Sequence, residues 1–248
     1  MFLPSRQAPQ NKFTQEQTFT PPKRLVFARG AIEVAKIIVP YSLWSCILIL
    51  FYNFLVNFAV NHSLLMTMLA APLALFVLGL AAMAVVAITK WIVIGRYKST
   101  ETPLWSILVW RSEFINSLWD NLVTPLILGP CMGTPFVSFF MRLMGCHIGK
   151  KVYMETKEVT EFDLVNIADG AQLNWGMTIQ THLFEDRVMK MSNLKVGENC
   201  SIGPMSVVLY DSEMCNDSTL LGLSLLMKGE TLPGKTHWQG SPARTAHE

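Results

Sequence analysis

An apolar residue recurs at every sixth position between residues 196 and 226, and this period constrains the fold more than any other feature. The apolar members are Val196, Ile202, Val208, Met214, Leu220 and Leu226. A helix advances about 100° per residue, so six steps would spread these side chains over three directions. A strand places every second residue on one face, yet Glu198, Pro204 and Asn216 stand two positions after members of the series. The period therefore belongs to a unit larger than one helix or strand.

A second series with the same period supports this interpretation. Small residues stand four positions after the apolar ones, as Cys200, Ser206, Ser212, Ser218 and Ser224. Three six-residue segments make one turn of a triangular coil, in which each segment is a short strand followed by a corner. The apolar residues then point into the prism, the small residues fit inside its corners, and neighbouring coils pair at about 4.8 Å. Residues 147–243 are predicted to form a left-handed parallel β-helix of hexapeptide repeats.

The N-terminal half has a long run without charge. No charged residue occurs from Ile37 to Thr89, although 15% of the whole chain is charged. As one helix this run would be about 80 Å long, whereas the hydrocarbon core of a bilayer is about 30 Å thick. The run is therefore predicted to turn at residues 61–63, with spans near 38–60 and 64–89. A hairpin buried in a soluble domain is disfavoured, because neither span has a polar face.

The positions of the charges predict how this hairpin is oriented. Basic residues flank both outer ends, and none lies in the turn. The prediction is a multi-pass protein of the inner (cell) membrane with both termini cytoplasmic. The hairpin is assigned to residues 31–96, after a flexible leader at residues 1–30 that is polar and contains proline.

Residues 97–146 are predicted to link the hairpin to the β-helix. They are rich in aromatic and aliphatic residues but are broken by charges and by Pro-Gly. Three tryptophans suit the headgroup level of a membrane: Trp105, Trp110 and Trp119. The charges argue against a full crossing, which favours an interfacial or re-entrant helical segment. The alternative is an amphipathic helix packed on the following domain.

Two segments interrupt the six-residue count, at 154–166 and 181–193, and loops on a regular scaffold are natural places for a site. His182 lies in the second segment and is the main candidate. A neutral imidazole accepts a proton from an attacking amine or hydroxyl near neutral pH, as acyl transfer requires. The alternative is a structural role, in which His182 caps a corner and the loop carboxylates pair with Arg187 and Lys190.

Nearby carboxylates complete the candidate catalytic set. Glu185 or Asp186 would orient the imidazole ring and stabilise its charged form. Asp163, with Glu161, lies on the earlier loop and is expected to approach the same groove. Asp163 in catalysis is the weaker of these hypotheses.

Several classes of site have no support in the sequence. The five cysteines include no Cys-x-x-Cys pair and no histidine spacing typical of zinc, so no metal is predicted. They are expected to be buried free thiols in a reducing compartment. No Gly-rich nucleotide loop is present, and a net charge of +2 gives no indication of a nucleic-acid partner.

Four stretches of sequence resemble a known family. They are TKWIVIGRYKSTETPLWS, TEFDLVNIADGAQLN, IQTHLFEDRVMK and LSLLMKGETLPGKTHWQGSPA. They are similar to the C-terminal membrane region of the poly-lysine synthetase family of nonribosomal peptide synthetases, over roughly residues 30–243. Members of this family carry an adenylation domain and a carrier domain, followed by helical hairpins that alternate with hexapeptide acyltransferase-like domains.

The resemblance implies an aminoacyl transfer. An amino acid held as the phosphopantetheine thioester of a carrier protein is joined to an amine, with no tightly bound cofactor. His182 matches the histidine of the THLFED motif, and Glu185, Asp186 and Asp163 lie in that motif or the neighbouring one. A carrier and adenylation protein is then the expected partner, and a homo-oligomer, a dimer or trimer, is also expected.

The chain departs from the family because it has neither the adenylation nor the carrier domain. It is expected to be a truncated product, a partner acting in trans, or one module kept for another role. Two other functions remain open. One is a non-catalytic membrane scaffold of a split synthetase. The other is a hexapeptide acetyltransferase that uses a coenzyme A thioester as donor.

Overall fold

The computed structural model describes residues 12–246, in which two long helices precede a β-rich region. A short helix α1 (Gln15–Thr18) comes first, followed by α2 (Lys23–Asn61) and α3 (Leu64–Val93). Helices α2 and α3 are long and apolar enough to cross a membrane. They are joined at the predicted turn, where the Ser63 hydroxyl caps α3.

Ordered structure begins earlier than the predicted leader allows. Of residues 1–30, residues 1–11 lie outside the described part of the chain, but α1 and the start of α2 fall within this segment. The indole of Trp105 donates a hydrogen bond of 3.1 Å to the carbonyl of Thr18. The flexible leader is therefore corrected for the described residues, because a contact with a distant segment fixes a stretch that has no apolar period of its own.

The segment between the hairpin and the β-helix is mainly helical, with one set of residues buried in the protein and others, such as Phe136 and Phe139, exposed. It contains β1 (Thr100–Pro103), α4 (Ile107–Leu118), a π-helix (Trp119–Leu128), a 3-10 turn (Gly129–Cys131) and α5 (Pro135–Met144). Trp110 and Trp119 are 5% and 2% exposed, and the Trp119 indole donates to the carbonyl of Lys157. These two tryptophans therefore lie in the protein core rather than at a headgroup level. The contacts fit the alternative of a helix packed on the following domain.

The β-region is a parallel β-helix with three faces. The first face contains β2 (His147–Ile148), β4 (Val165–Ile167), β9 (Leu194–Val196), β12 (Glu213–Met214) and β15 (Thr231–Leu232). The second contains β3 (Tyr153–Met154), β5 (Gln172–Leu173), β10 (Ser201–Ile202), β13 (Thr219–Leu220), β16 (His237–Gln239) and the antiparallel β17 (Arg244–Thr245). The third contains β6 (Thr178–Gln180), β11 (Val207–Leu209) and β14 (Leu225–Leu226). The predicted fold class, a helical hairpin followed by a β-helix, is confirmed.

The residues of both six-residue series occupy the predicted positions. The six apolar residues from Val196 to Leu226 are at most 2% exposed, and the five small residues are at most 3% exposed. The hydroxyls of Ser206 and Ser212 each donate a 2.9 Å hydrogen bond to a carbonyl of the next coil. The serines therefore satisfy buried backbone acceptors at the corners, which a purely apolar small residue would leave unpaired.

Residues 181–193 form a β-hairpin rather than a loop. Strand β7 (His182–Glu185) pairs with β8 (Val188–Met191) through a two-residue turn, and β1 adds antiparallel to β8. Both turn residues, Asp186 and Arg187, have positive φ, which matches the right-handed twist of the flanking strands. The hairpin leaves the β-helix directly after β6 and carries His182 at its base.

Candidate functional site

The ring of His182 lies against a buried carboxylate. Its Nδ1 atom is 2.6 Å from Oε2 of Glu161, whose side chain is fully buried, whereas the His182 side chain is 17% exposed. One edge of the ring therefore faces the protein interior. The Nε2 atom lies on the opposite edge of the ring. The ring of Phe184 contacts the imidazole edge-on at a centroid distance of 5.5 Å.

Glu161 is held by three donors from two segments of the chain. Besides His182, the hydroxyl of Thr181 donates to Oε2 at 2.7 Å and that of Ser112 donates to Oε1 at 3.0 Å. The backbone of Glu161 has φ of 36°, an uncommon conformation for a residue other than glycine. Such a conformation is stable only where several contacts hold the residue in place, and here three donors converge on its carboxylate.

The environment of Glu161 favours its ionised form. Burial by itself raises the pKa of a carboxyl group, but here hydrogen bonds from His182 and Thr181 and the attraction of the imidazolium outweigh it. The pKa of Glu161 is thus lowered below its ordinary value. An ionised Glu161 accepts hydrogen bonds only, so the proton between the two groups lies on Nδ1. In the neutral form of the ring, Nε2 is then the acceptor.

Asp163 faces the helical part of the chain instead of the ring. Its Oδ2 atom is 2.6 Å from Nζ of Lys90 and accepts a 3.1 Å hydrogen bond from the backbone N–H of Tyr97. The Lys90 side chain is fully buried and that of Asp163 is 7% exposed. Asp163 therefore joins the end of α3 to the first coils of the β-helix, two residues from Glu161.

The carboxylate that contacts the imidazole is Glu161, which corrects the expectation that Glu185 or Asp186 orients the ring. Glu185 forms ion pairs with Lys190, at 2.9 Å, and with Lys228. Successive side chains of a strand point to opposite faces, so a residue three positions from His182 lies on the other face of β7. Asp186 lies in the turn at the tip of the hairpin.

Glu185→Gln is expected to lower the free energy of unfolding by only about 0.5–1 kcal/mol, because the three side chains of this cluster are partly exposed. Hydrogen bonds from Lys228 and Lys190 lower the pKa of Glu185. Its contribution is therefore present above the ordinary carboxyl pKa and lost as the pH falls through the lowered value. Unfolding curves of the wild type and variant, measured in detergent across pH, should converge in acid.

A matched control for this variant is Glu213→Gln, which removes an exposed pair with Lys195 at 3.7 Å on a regular wall of the β-helix. Both variants should lose little stability. A loss from Glu185→Gln that persists unchanged in acid would show that the ion pairs are not its cause.

The metal-ligating and nucleophilic side chains of the described residues were compared for a second site. Among residues 12–246, no group of three or more His, Cys, Asp or Glu side chains is placed to hold a metal ion. All five cysteines are free thiols, and Cys131, Cys146 and Cys200 are buried. Burial raises the pKa of the Cys146 thiol, so it is not activated as a nucleophile.

Comparison with curated proteins finds a likeness over nearly the whole chain. No protein-family model matches it. The chain is 38% identical over 243 residues to the delta-poly-L-ornithine synthetase of Acinetobacter baumannii (strain AB307-0294). This match covers 98% of the chain but 18% of the relative. The predicted resemblance to part of a poly-amino-acid synthetase is confirmed.

Comparison with solved structures finds transferases at low similarity. A maltose O-acetyltransferase from Clostridium difficile 630 matches with 13% identity and a TM-score of 0.46, over 60% of this chain and 92% of its own. An acetyltransferase from Vibrio cholerae O1 biovar eltor, complexed with acetyl coenzyme A, matches with 14% identity and a TM-score of 0.39, over 49% and 82%. These values are too low to carry over a ligand or a reaction.

Proposed function

We propose that the chain is a membrane-anchored acyl or aminoacyl transferase module with His182 as general base. The observation that carries this proposal is the 2.6 Å contact between Nδ1 of His182 and the buried carboxylate of Glu161. A buried acceptor on one nitrogen fixes the tautomer and orientation of the ring, as in base–orienter pairs of acyl-transfer enzymes. The similarity to a poly-amino-acid synthetase supports an aminoacyl group as the one transferred.

The proposed reaction joins a carrier-bound amino acid to an amine. The amine nitrogen attacks the carbonyl carbon of the donor thioester. Nε2 of His182 removes a proton from the amine nitrogen during this attack. Glu161 stabilises the imidazolium that forms. The attack forms the C–N bond. The C–S bond then breaks, and the imidazolium gives its proton to the leaving thiolate. The donor is the phosphopantetheine thioester of a carrier protein, with a coenzyme A thioester as the alternative.

Helices α2 and α3 are proposed to anchor this module in the inner (cell) membrane with both chain termini on the cytoplasmic side. Large apolar side chains such as Ile49 and Leu69 are 59% and 69% exposed on the hairpin, which suits contact with lipid. The basic residues outside its two ends and the uncharged turn support this orientation. An adenylation and carrier protein would supply the donor, and the module would assemble as a dimer or trimer.

His182→Ala is expected to lower the rate of transfer by about 100-fold or more, because a positioned general base contributes about 10²–10⁴-fold. The assay would mix purified chain in detergent with a carrier protein loaded with labelled amino acid and with candidate diamine acceptors. Amide formation would be followed by mass spectrometry. His147→Ala, at an exposed position on β2, is the matched control and should keep the wild-type rate.

Two results would contradict the proposal. Unchanged transfer by His182→Ala would remove the base and favour a non-catalytic scaffold. Transfer from acetyl coenzyme A alone, with none from the loaded carrier, would favour the coenzyme A-dependent acetyltransferase.

A further inference from the structure

The pair of His182 and Glu161 is not built by the β-helix alone. Oε1 of Glu161 accepts its hydrogen bond from Ser112, which lies on α4, 49 positions earlier in the chain. The Ser112 hydroxyl accepts in turn from the hydroxyl of Tyr97, at 3.2 Å. Ser112 is 1% exposed and Tyr97 is 4% exposed. A buried chain of hydrogen bonds therefore runs from the helical part of the protein to the imidazole.

Each hydroxyl in this series of hydrogen bonds has a defined role. An ionised carboxylate has no proton to give, so Ser112 donates its only proton to Glu161. The lone pairs of Ser112 are then free to accept, and the Tyr97 hydroxyl donates to them. Burial and the negative charge of Glu161 raise the pKa of Tyr97, which keeps its hydroxyl protonated. The hydrogen bonds of this series therefore all point the same way: Tyr97 donates to Ser112, and Ser112 donates to Glu161.

We propose that Ser112 is a positioning residue for the Glu161–His182 pair and that Tyr97 holds Ser112 in its donating orientation. This inference rests on the proposed role of His182 as base. It assigns the helical segment a part in the reactive site besides anchoring. Ser112 and Thr181 together fix both oxygens of Glu161, so the carboxylate presents Oε2 to Nδ1 in one rotamer.

The test measures the proton state of His182 without any substrate. Neutral imidazole reacts with diethyl pyrocarbonate, so the rate of modification of the His182 peptide, followed by mass spectrometry across pH, gives the midpoint of titration. Loss of the Ser112 hydroxyl leaves the carboxylate more basic, and Glu161 then holds the imidazolium proton more firmly. Ser112→Ala is expected to move the midpoint up by about 0.5–1 pH unit, and Tyr97→Phe to move it the same way by less.

Two further variants make the result specific. Glu161→Gln removes the negative charge and should move the midpoint down, opposite to Ser112→Ala. Ser138→Ala is the matched control, because Ser138 on α5 is also buried and its hydroxyl has no hydrogen-bond partner among the described residues. Its midpoint should equal that of the wild type. Thermal unfolding in detergent checks each variant, and Tyr97→Phe decides the test if Ser112→Ala does not fold.

The outcomes separate this inference from the proposed function. If Glu161→Gln shifts the midpoint but Ser112→Ala and Tyr97→Phe do not, the positioning role is refuted while the pair stands. If Glu161→Gln has no effect either, the pair itself fails, and the inference fails with it. In the transfer assay, a positioning role predicts that Ser112→Ala lowers kcat by about tenfold and leaves KM nearly unchanged.

Discussion

Ile202→Asp is expected to abolish folding of the β-helix. Ile202 is fully buried, and its strand β10 pairs in parallel with β5 below and β13 above. An aspartate at this position would place a charge inside the prism. Its neighbours on the adjacent coils would be the apolar side chains of Leu173 and Leu220. Burying an unpaired charge and losing an apolar side chain together cost at least about 5 kcal/mol, comparable with the stability of a whole domain.

The measurement is size-exclusion chromatography and limited proteolysis of the detergent-extracted protein. Ser201→Asp is the matched control, because Ser201 is the preceding residue of the same strand and its side chain points out of the coil. It should elute and resist protease like the wild type. A folded, protease-resistant Ile202→Asp variant would mean that position 202 does not face the interior, which would contradict the coil geometry.

The coil was predictable because each position of the repeat meets the same environment in every turn. Val196, Met214 and Leu232 stack on one face and are each at most 2% exposed, so the requirement for an apolar residue returns at a fixed interval. A need for an apolar residue that returns at a fixed interval can be detected as a period in a single sequence. The hairpin of α2 and α3 was predictable for a related reason, since the absence of charge extends over more than fifty residues.

The strand β1 and the hairpin of β7 and β8 were not foreseen. Their pairing joins Thr100 to Met191, and such non-local pairing has no periodic signature in a stretch of four residues. The antiparallel sheet nevertheless decides which face of β7 carries His182 and which carries Glu185. The wrong assignment of the orienting carboxylate followed directly from treating residues 181–193 as a loop, where alternation of side chains does not apply.

The candidate site was predicted only in part, because a sequence shows local features but not contacts between distant segments. His182 was identifiable because it interrupts the repeat, and interruption is a local property. One partner of its orienting carboxylate, Ser112, comes from α4, 49 positions before Glu161. Tyr97, which donates to Ser112, comes from the segment after α3. A serine between Arg111 and Glu113 in a helix has no local mark of such a role. Contacts between segments far apart in sequence could be assigned only from the structure.

The ion pair of Lys90 and Asp163 is expected to be the main polar link between the helical hairpin and the β-helix. Nζ of Lys90 lies 2.6 Å from Asp163 and 3.6 Å from the centroid of the Trp91 ring, and the Lys90 side chain is fully buried. Asp163→Asn would leave this charge without its counter-ion, and removing one partner of a buried pair costs about 3–5 kcal/mol. Lys90→Met should destabilise the protein to a similar extent.

A double-mutant cycle separates this link from simple loss of packing. Replacing a buried pair by apolar residues of similar volume is often neutral, so Lys90→Met combined with Asp163→Leu should recover most of the stability lost by either single change. The free energies of unfolding would be measured in detergent, with Lys12→Met and Glu101→Leu, whose pair is exposed, as a control cycle of small coupling. Additive losses in the buried cycle would contradict the link.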